Sequence, residues 1–267
     1  MKPATHKTIT RLAIELCTDR LSLDMQEMIN QDSVVQGSAD EDTKNLVQRA
    51  TNWHFYRASE VIPKKKRLLF KPTSEDILKI RITEITNTPE KYNQLGRILH
   101  HIQDMSTPSH VLPIYHGPKF PLMFSYRVIE DYFETFMYEH DDKILKNNIT
   151  ELPAIDGIEG FFNIYDNAAK EMLQILKGGF KIDNNVDSAT LPFSLFWKSY
   201  LEEEYNKIKG FGMYGEYHTY FKRDGLLKDN PYSITEHTLL NIQSTITDHA
   251  ILNTCKALLY AIENDYV

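Results

Sequence analysis

The feature that most constrains the fold is the spacing of apolar residues, which recur at the period of an α-helix along most of the 267-residue chain. Near the start and in the middle of the chain, these residues are Ile9, Leu12, Ala13, Leu16, Leu95, Ile98, Leu99 and Ile102. A last long segment repeats the spacing from Leu239 to Ile262, and Ser233 with Glu236 three residues later is typical of a helix N-terminus. Alternating strand patterns are scarce. The chain is therefore predicted to be all-α.

Five stretches interrupt the helical pattern because they are rich in residues that favour turns and loops. They cover residues 31–42, 63–74, 112–121, 181–192 and 210–215. None of them has the composition of a flexible linker, and the sequence contains no internal repeat. We therefore expect residues 1–267 to form a single compact multi-helix domain.

Charge and composition exclude several classes of protein. With 30 basic and 37 acidic side chains, the formal net charge is −7, which argues against a protein that wraps nucleic acid. Two cysteines are too few for a disulfide scaffold. No apolar run is typical of a secretory signal or approaches the roughly 20 residues of a membrane-spanning helix. These features predict a cytoplasmic protein without a transmembrane segment, with export by a leaderless route as the alternative.

The residues that indicate chemistry lie at the end of one predicted helix. This helix is expected to run from residue 89 to about 105, because Pro108 should end it after Asp104. His100 and Asp104 are four residues apart, so both project from one face of the helix. An isolated pair with this spacing would more simply be an ion pair, but His110 follows just beyond the proline. Imidazole nitrogen together with carboxylate oxygen is the ligand set that zinc takes in catalytic sites.

Four motifs in the first half of the chain resemble those of one family. The motifs are Thr5-His6 before the first apolar helix, the acidic segment from Gly37 to Asp42, Asn52-Trp53-His54-Phe55, and His100-x3-Asp104-x3-Pro108-x-His110. Together they resemble the zinc-dependent bacterial phospholipases C, whose trinuclear zinc site is shared with the fungal single-strand nucleases. The resemblance extends over residues 1 to about 135 and is strongest in the last motif.

The resemblance implies a ligand set that draws on all four motifs. One zinc ion would be bound by the side chains of Asp42, His54, His100 and Asp104. Asp104 would also bridge to a second zinc ion, which His6 and the chain terminus would hold.

The spacing between two of these ligands sets a geometrical condition. Asp42 and His54 are 12 residues apart, which would separate them by about 18 Å along one straight helix. The intervening segment must therefore bend or start late if both residues bind the same ion. Asp40 is the alternative acidic ligand.

The third zinc site departs from the family pattern. His110 would open this site, but the His-x3-Glu motif with which relatives complete it does not occur in this sequence. Glu134 would then keep the carboxylate role, with Glu130 in place of the histidine. Tyr126 with Glu130, or His116 from the preceding loop, are alternatives, and Glu130 and Glu134 could equally form a solvated helix face. The chain would accordingly bind three zinc ions, or two if this site is incomplete.

The chain terminus is a second departure. The family uses the amine of a mature N-terminal tryptophan as a metal ligand. Here Met1 precedes His6 by five residues, the spacing found in some relatives. A free Met1 amine is therefore expected to take the place of the tryptophan.

The activity that the resemblance implies is metal-assisted hydrolysis of a phosphodiester. Asp42 would both bind metal and accept the proton of the attacking water as the catalytic base. The acidic net charge and the local similarity favour a phospholipase C, which releases diacylglycerol and a phosphorylated head group from phospholipid. Loops around the site would contact the membrane surface peripherally, and no stable nucleic-acid partner is expected. A single-strand nuclease with the same site, or a degenerate metal-binding protein without activity, are the alternatives.

Overall fold

The structure is a computed structural model, and it describes residues 1–18, 30–43, 54–56, 73–114, 131–134, 157–184, 187–198, 213–214 and 236–267. The α-helices within these residues are α1 (Pro3–Thr18), α2 (Gln31–Thr43), α3 (Ser74–Ile85), α4 (Lys91–Asp104), α5 (Pro108–Val111), α6 (Ile158–Gly178) and α7 (Glu236–Glu263). The strands are β1 (Phe180–Asn184), β2 (Asp187–Leu191), β3 (Trp197–Lys198) and β4 (Met213–Tyr214), and two short 3₁₀ helices cover Tyr132–Glu134 and Phe193–Leu195. Within the described residues, the strands form two antiparallel pairs, β1 with β2 and β3 with β4. The prediction of an all-α fold is confirmed.

Helix α4 lies at the centre of the helical bundle, where it contacts α1, α2, α3, α6 and α7. Every residue from Leu95 to Asp104 except Arg97 is buried. The apolar residues of the predicted helical stripe, such as Ile98 and Ile102, are completely shielded from solvent. The polar residues on the other faces of α4 must therefore find partners inside the protein, because an unpartnered polar group in the interior is costly.

Helices α2 and α4 cross in backbone contact through two glycines. A Cβ atom added to Gly37 would lie 2.1 Å from the carbonyl oxygen of Asn93, and one added to Gly96 would lie 2.1 Å from that of Val34. A larger residue at either position would push the helices apart. This close approach brings the C-terminal end of α2 beside the C-terminal half of α4.

Helix α2 contradicts the break that was predicted at residues 31–42. Its Ser, Asp and Gly residues have weak helix propensity, which is why the sequence suggests a loop. Val34, Val35 and Ala39 are nevertheless buried, and α2 packs against both α1 and α4. Tertiary packing here overrides local propensity.

The central and last helices follow the sequence closely. Helix α4 begins two residues later than expected, at Lys91, after a turn in which the backbone N–H of Glu90 donates a hydrogen bond of 3.1 Å to the Thr88 hydroxyl. Pro108 opens the short helix α5, as a proline at the start of a helix should. Helix α7 is the predicted long closing helix, and Ser233 before it lies outside the described residues.

Helix α1 packs between α2 and α7. Its inner face, which includes Ile9, Ala13 and Cys17, is fully buried. This packing places the first residues of the chain next to the C-terminal end of α4, where Met1 and His6 are both buried.

Part of the predicted break at residues 181–192 is an antiparallel hairpin. Strands β1 and β2 pair from Phe180 opposite Leu191 to Asn184 opposite Asp187. The sequence did not indicate it, because the strands are short. No helix in the part of the chain that the structure describes combines the length and the apolar character needed to cross a membrane.

Candidate metal centre

Asp104, the last residue of α4, is the centre of the candidate site and is completely buried. Its Oδ1 lies 3.1 Å from the Met1 amine nitrogen and 3.5 Å from Nε2 of His6. Its Oδ2 lies 3.0 Å from Nδ1 of His54 and 3.3 Å from Nε2 of His100. The two oxygens of one carboxylate therefore face two different sets of nitrogen atoms.

His100 reaches this centre from the turn of α4 that precedes Asp104. Its Nδ1 donates a hydrogen bond of 2.8 Å to the backbone carbonyl of Ser38 on α2, so its Nε2 is directed at Asp104. The His100 ring also stacks on that of His6, with a centroid distance of 4.0 Å. The backbone contact between α2 and α4 is what brings the Ser38 carbonyl within reach.

Asp42, rather than Asp40, faces the centre. The carboxylate oxygens of Asp42 lie 3.7 Å from Nε2 of His6, and 3.9 Å from both Nδ1 of His54 and Nε2 of His100. Asp40 is turned away, where it accepts hydrogen bonds from Gln36 on α2 and from Asn93 on α4. The geometrical condition on Asp42 and His54 is met, because α2 ends at Thr43.

His54 and His110 are held together by reciprocal contacts with the backbone. Nδ1 of His110 donates a hydrogen bond of 2.7 Å to the carbonyl of His54, and the backbone N–H of Tyr56 donates one of 3.1 Å to the carbonyl of His110. These contacts leave Nε2 of His110 directed at Glu134, at 3.1 Å.

Glu134 lies next to His110 and to the chain terminus. Its Oε1 is 3.7 Å from the Met1 nitrogen, and its backbone carbonyl accepts a hydrogen bond of 2.8 Å from the Thr5 hydroxyl. Asp131 supports this turn, because its carboxylate accepts hydrogen bonds from the backbone of Phe133 and from the indole of Trp197. Glu130, Tyr126 and His116 lie outside the described residues.

The structure thus brings together all the predicted ligands that it describes. We call this set the ligand cluster, and its members are Met1, His6, Asp42, His54, His100, Asp104, His110 and Glu134. They come from separate segments of the chain, so they meet only in the folded protein.

Burial and the charge of Asp104 act in opposite directions on the pKa values of the Met1 amine and of His100. Burial opposes charge on the Met1 amine, but Asp104, Glu134 and Asp42 outweigh this effect and raise the pKa of the amine to about 11. Likewise, Asp104 and Asp42 outweigh burial and raise the pKa of His100 to about 9. Burial itself would raise the pKa of Asp104, but the positive groups around it hold that pKa well below its usual range. Burial, together with the nearby positive charges of His100 and the terminus, lowers the pKa of His6.

The donor atoms fit a metal ion in chemistry and in spacing. Ligand atoms bound at 2.0 to 2.1 Å to one tetrahedral zinc ion lie about 3.3 Å apart. Nδ1 of His54 and Nε2 of His100 are 2.9 Å apart, and Asp104 lies at similar distances from both. Nε2 of His6 and Oδ2 of Asp104 are buried without a hydrogen-bond partner among the described residues.

Among the described residues, two groups of ligand atoms could each hold a cation. One group is His6, His100 and Asp104, and the other is Asp42, His54 and His100. Asp42 is the most exposed member of the ligand cluster, with 20% of its side chain accessible, followed by His54 with 12%. Solvent therefore reaches the ligand cluster on the side of Asp42.

The sequence interpretation missed two residues that support the cluster, Gln103 and Thr10. Both are completely buried and connect His6 to the interior of the bundle. One signal could have found Thr10: it lies four residues after His6 on the same face of α1, as Asp104 follows His100 on α4. Gln103 offers a weaker signal, as a polar residue at an otherwise apolar helix position.

Comparisons of this chain with protein-family models, with curated proteins and with solved structures found no match. The resemblance therefore rests on the four sequence motifs, and the geometry of the ligand cluster carries the functional argument.

Proposed function

We propose that this protein is a zinc-dependent phosphodiester hydrolase that acts on phospholipid as a phospholipase C. The observation that carries the proposal is the position of Asp104. Each of its carboxylate oxygens faces its own set of nitrogen donors. A carboxylate in this position is suited to bridging two cations.

The donor sets assign ligands to the proposed ions. Asp42, His54, His100 and Asp104 would hold one zinc ion. Asp104, His6 and the Met1 amine would hold a second one. A third would use Nε2 of His110 and the carboxylate of Glu134, which are 3.1 Å apart, with Glu130 as the further proposed ligand.

Hydrolysis of a phosphodiester needs a nucleophilic water, a proton acceptor and positive charge at the phosphoryl oxygens. Bound zinc would lower the pKa of water and neutralise charge on the phosphate. Asp42 would accept the proton as water attacks phosphorus, because it is the most exposed carboxylate of the ligand cluster. The bond that breaks joins phosphorus to the glycerol oxygen, and the products are diacylglycerol and a phosphorylated head group.

The choice of lipid over nucleic acid rests on charge. The chain carries a formal net charge of −7, whereas proteins that bind nucleic acid usually offer a positive surface to the phosphate backbone. A zwitterionic or neutral lipid head group does not require a positive protein surface. A single-strand nuclease with the same zinc chemistry is the competing outcome of the test.

The first experiment measures metal content and hydrolysis on the same untagged, zinc-supplemented protein. We expect a zinc-to-protein ratio of about three, or about two if the Glu130 and Glu134 site is incomplete. Phosphatidylcholine vesicles should be hydrolysed faster than single-stranded DNA. Faster cleavage of DNA would replace the phospholipase with a nuclease. Absence of bound zinc would overturn the enzyme proposal altogether.

The catalytic role of Asp42 has a matched control on the same helix. Asp42→Asn should lower kcat by about 100-fold or more while zinc is retained, since a general base contributes about that much. Asp40→Asn removes the same charge two residues away, on a side chain that faces Asn93 instead, and should leave kcat unchanged. Equal effects of the two substitutions would argue against the base assignment.

The Met1 amine is tested by extending the chain. A short Gly-Ser extension before Met1 would replace the amine with an amide, which is a poor metal ligand. Zinc content or activity should then fall relative to the protein with a free Met1. An extended protein with unchanged zinc content and activity would remove Met1 from the ligand set.

A further inference from the structure

Three histidines of the ligand cluster, His6, His100 and His110, are oriented by hydrogen bonds of two kinds. His100 and His110 each donate Nδ1–H to a backbone carbonyl, that of Ser38 and that of His54. His6 differs, because its Nδ1 meets a side chain, Oε1 of Gln103, at 2.6 Å. A backbone carbonyl can only accept a hydrogen bond, whereas a glutamine amide can turn either its oxygen or its NH₂ group toward the ring. Something else must therefore fix the amide.

Thr10 fixes it. The Thr10 hydroxyl lies 2.9 Å from the backbone carbonyl of His6, and since that carbonyl can only accept, the hydroxyl must donate to it. The only proton of the hydroxyl is then used, so the Thr10 oxygen can only accept from Gln103. Nε2 of Gln103 lies 2.9 Å from the Thr10 oxygen. The NH₂ group of Gln103 must therefore face Thr10, and its Oε1 must face His6.

We propose that Thr10 and Gln103 form a tautomer lock for His6, which holds the imidazole proton on Nδ1 and leaves the Nε2 lone pair for metal. The three side chains are all completely buried, so water does not compete for these hydrogen bonds. Nε2 of His6 has no hydrogen-bond partner among the described residues, and it faces both Asp42 and Asp104. The lock thus explains why a buried imidazole nitrogen keeps a free lone pair.

The effect on metal affinity rests on the proposed zinc centre, whereas the tautomer itself does not. Groups that orient a metal-binding histidine typically change metal affinity by about 10-fold to 100-fold when they are removed. Thr10 does not reach the imidazole of His6 directly, so it can act on the tautomer only through Gln103. Thr10 and Gln103 are positioning residues in this scheme.

The test compares matched pairs of variants in the full-length, untagged protein. Thr10→Val removes the hydroxyl and Thr10→Ser keeps it, while Gln103→Met removes the acceptor and Gln103→Glu keeps it. Two-bond ¹H–¹⁵N correlation spectra of the zinc-free protein identify which imidazole nitrogen of His6 carries the proton. Competition with a chromophoric chelator gives the zinc Kd, and circular dichroism verifies that each variant is folded.

The two variants at each position should differ in the position of the His6 proton. In the wild-type protein and in Thr10→Ser, the proton should be on Nδ1, and the zinc Kd of Thr10→Ser should stay within about threefold of the wild-type value. In Gln103→Glu the proton should also be on Nδ1, because a carboxylate can only accept a hydrogen bond. In Thr10→Val and Gln103→Met, the proton should distribute over both nitrogens and the Kd should rise by about 10-fold to 100-fold. A wild-type protein with the proton on Nε2, or a folded Gln103→Met with unchanged tautomer and Kd, would overturn the lock. A wild-type protein that binds no zinc would sink the proposed function, while the spectra would still decide the tautomer.

Discussion

Glu41 on α2 and Asp104 on α4 are both buried carboxylates, and neither side chain has any accessible surface. Glu41 is paired with arginines, at 2.6 Å from Nε of Arg81 and 3.5 Å from a guanidinium nitrogen of Arg97. We call Glu41, Arg81 and Arg97 the arginine cluster. Asp104 is surrounded by imidazoles and an amine instead.

The difference lies in what the partners can do. A guanidinium stays protonated in proteins and has no lone pair to offer, so it can neutralise a carboxylate but cannot bind a metal beside it. Imidazole and amine nitrogens can lose a proton and then bind a cation together with the carboxylate. The two carboxylates are equally buried. It is therefore the chemistry of the partners that distinguishes a structural ion pair from a candidate metal centre.

The largest expected effect comes from removing the charge of Asp104. Asp104→Asn keeps the shape of the side chain but removes the carboxylate that we propose bridges two zinc ions, so zinc affinity should fall by more than about 100-fold, beyond the loss from a supporting residue. The zinc-to-protein ratio after dialysis, measured by elemental mass spectrometry, should drop well below that of the wild-type protein. Full zinc content in a folded Asp104→Asn would contradict the central role of this residue.

Removing the carboxylate charge in the arginine cluster should lower the stability of the protein without changing its zinc binding. Glu41→Gln leaves two guanidinium groups next to an uncharged amide and should lower the free energy of unfolding by about 3 kcal/mol. The zinc-to-protein ratio should be unchanged. Glu84→Gln is the control, because Glu84 also pairs with Arg81 but is 45% exposed. Loss of zinc in Glu41→Gln would erase the distinction between the two clusters.

Both clusters depend on the close packing of α2 against α4. A third substitution tests how much this packing contributes to stability. Gly96→Ala would place a Cβ atom 2.1 Å from the Val34 carbonyl oxygen and should destabilise the protein by about 2 kcal/mol through overpacking. Gly178→Ala is the control, since an added Cβ there meets nothing within 4 Å. Urea unfolding of both variants measures the difference. A Gly96→Ala protein as stable as the control would mean that the helices separate without cost.

Part of this arrangement could be predicted from the sequence. The spacing of His100 and Asp104, with Pro108 behind them, requires one helix face and a stop, and the structure has both. Helical periodicity likewise predicted the buried stripe of α4 and the long helix α7.

The rest depends on contacts between distant segments. The sequence favours Asp42 but leaves Asp40 as an alternative, and the hydrogen bonds that Asp40 accepts from Gln36 and Asn93 show that it faces away from the centre. The loop-like composition of α2 concealed a helix, because packing against α1 and α4 is invisible to local propensity. The partners of Glu41 also lie on other helices, so its role as an ion-pair residue rather than a ligand could not be predicted.

The smallest effect is expected at a His–Glu pair that resembles the one in the ligand cluster but lies near solvent. His249 Nε2 and Glu171 Oε2 are 3.2 Å apart, as His110 and Glu134 are 3.1 Å apart, yet the Glu171 side chain is 46% exposed. A hydrogen bond with His249 lowers the pKa of Glu171, with Lys256 adding to the effect and partial burial opposing it.

Because the pKa of Glu171 is lower in the folded protein than in the unfolded chain, its carboxylate stabilises the fold above the unfolded-state pKa. That contribution is lost as the pH falls through the folded-state value. Solvent screening keeps it below about 1 kcal/mol. Urea unfolding should therefore show Glu171→Gln slightly less stable than the wild-type protein at neutral pH, and the two should converge in acid. If the stability difference between Glu171→Gln and the wild-type protein grew in acid, the pKa of Glu171 would be raised rather than lowered by folding. A stability loss as large as that of Glu41→Gln would mean that solvent exposure does not weaken such pairs in this protein.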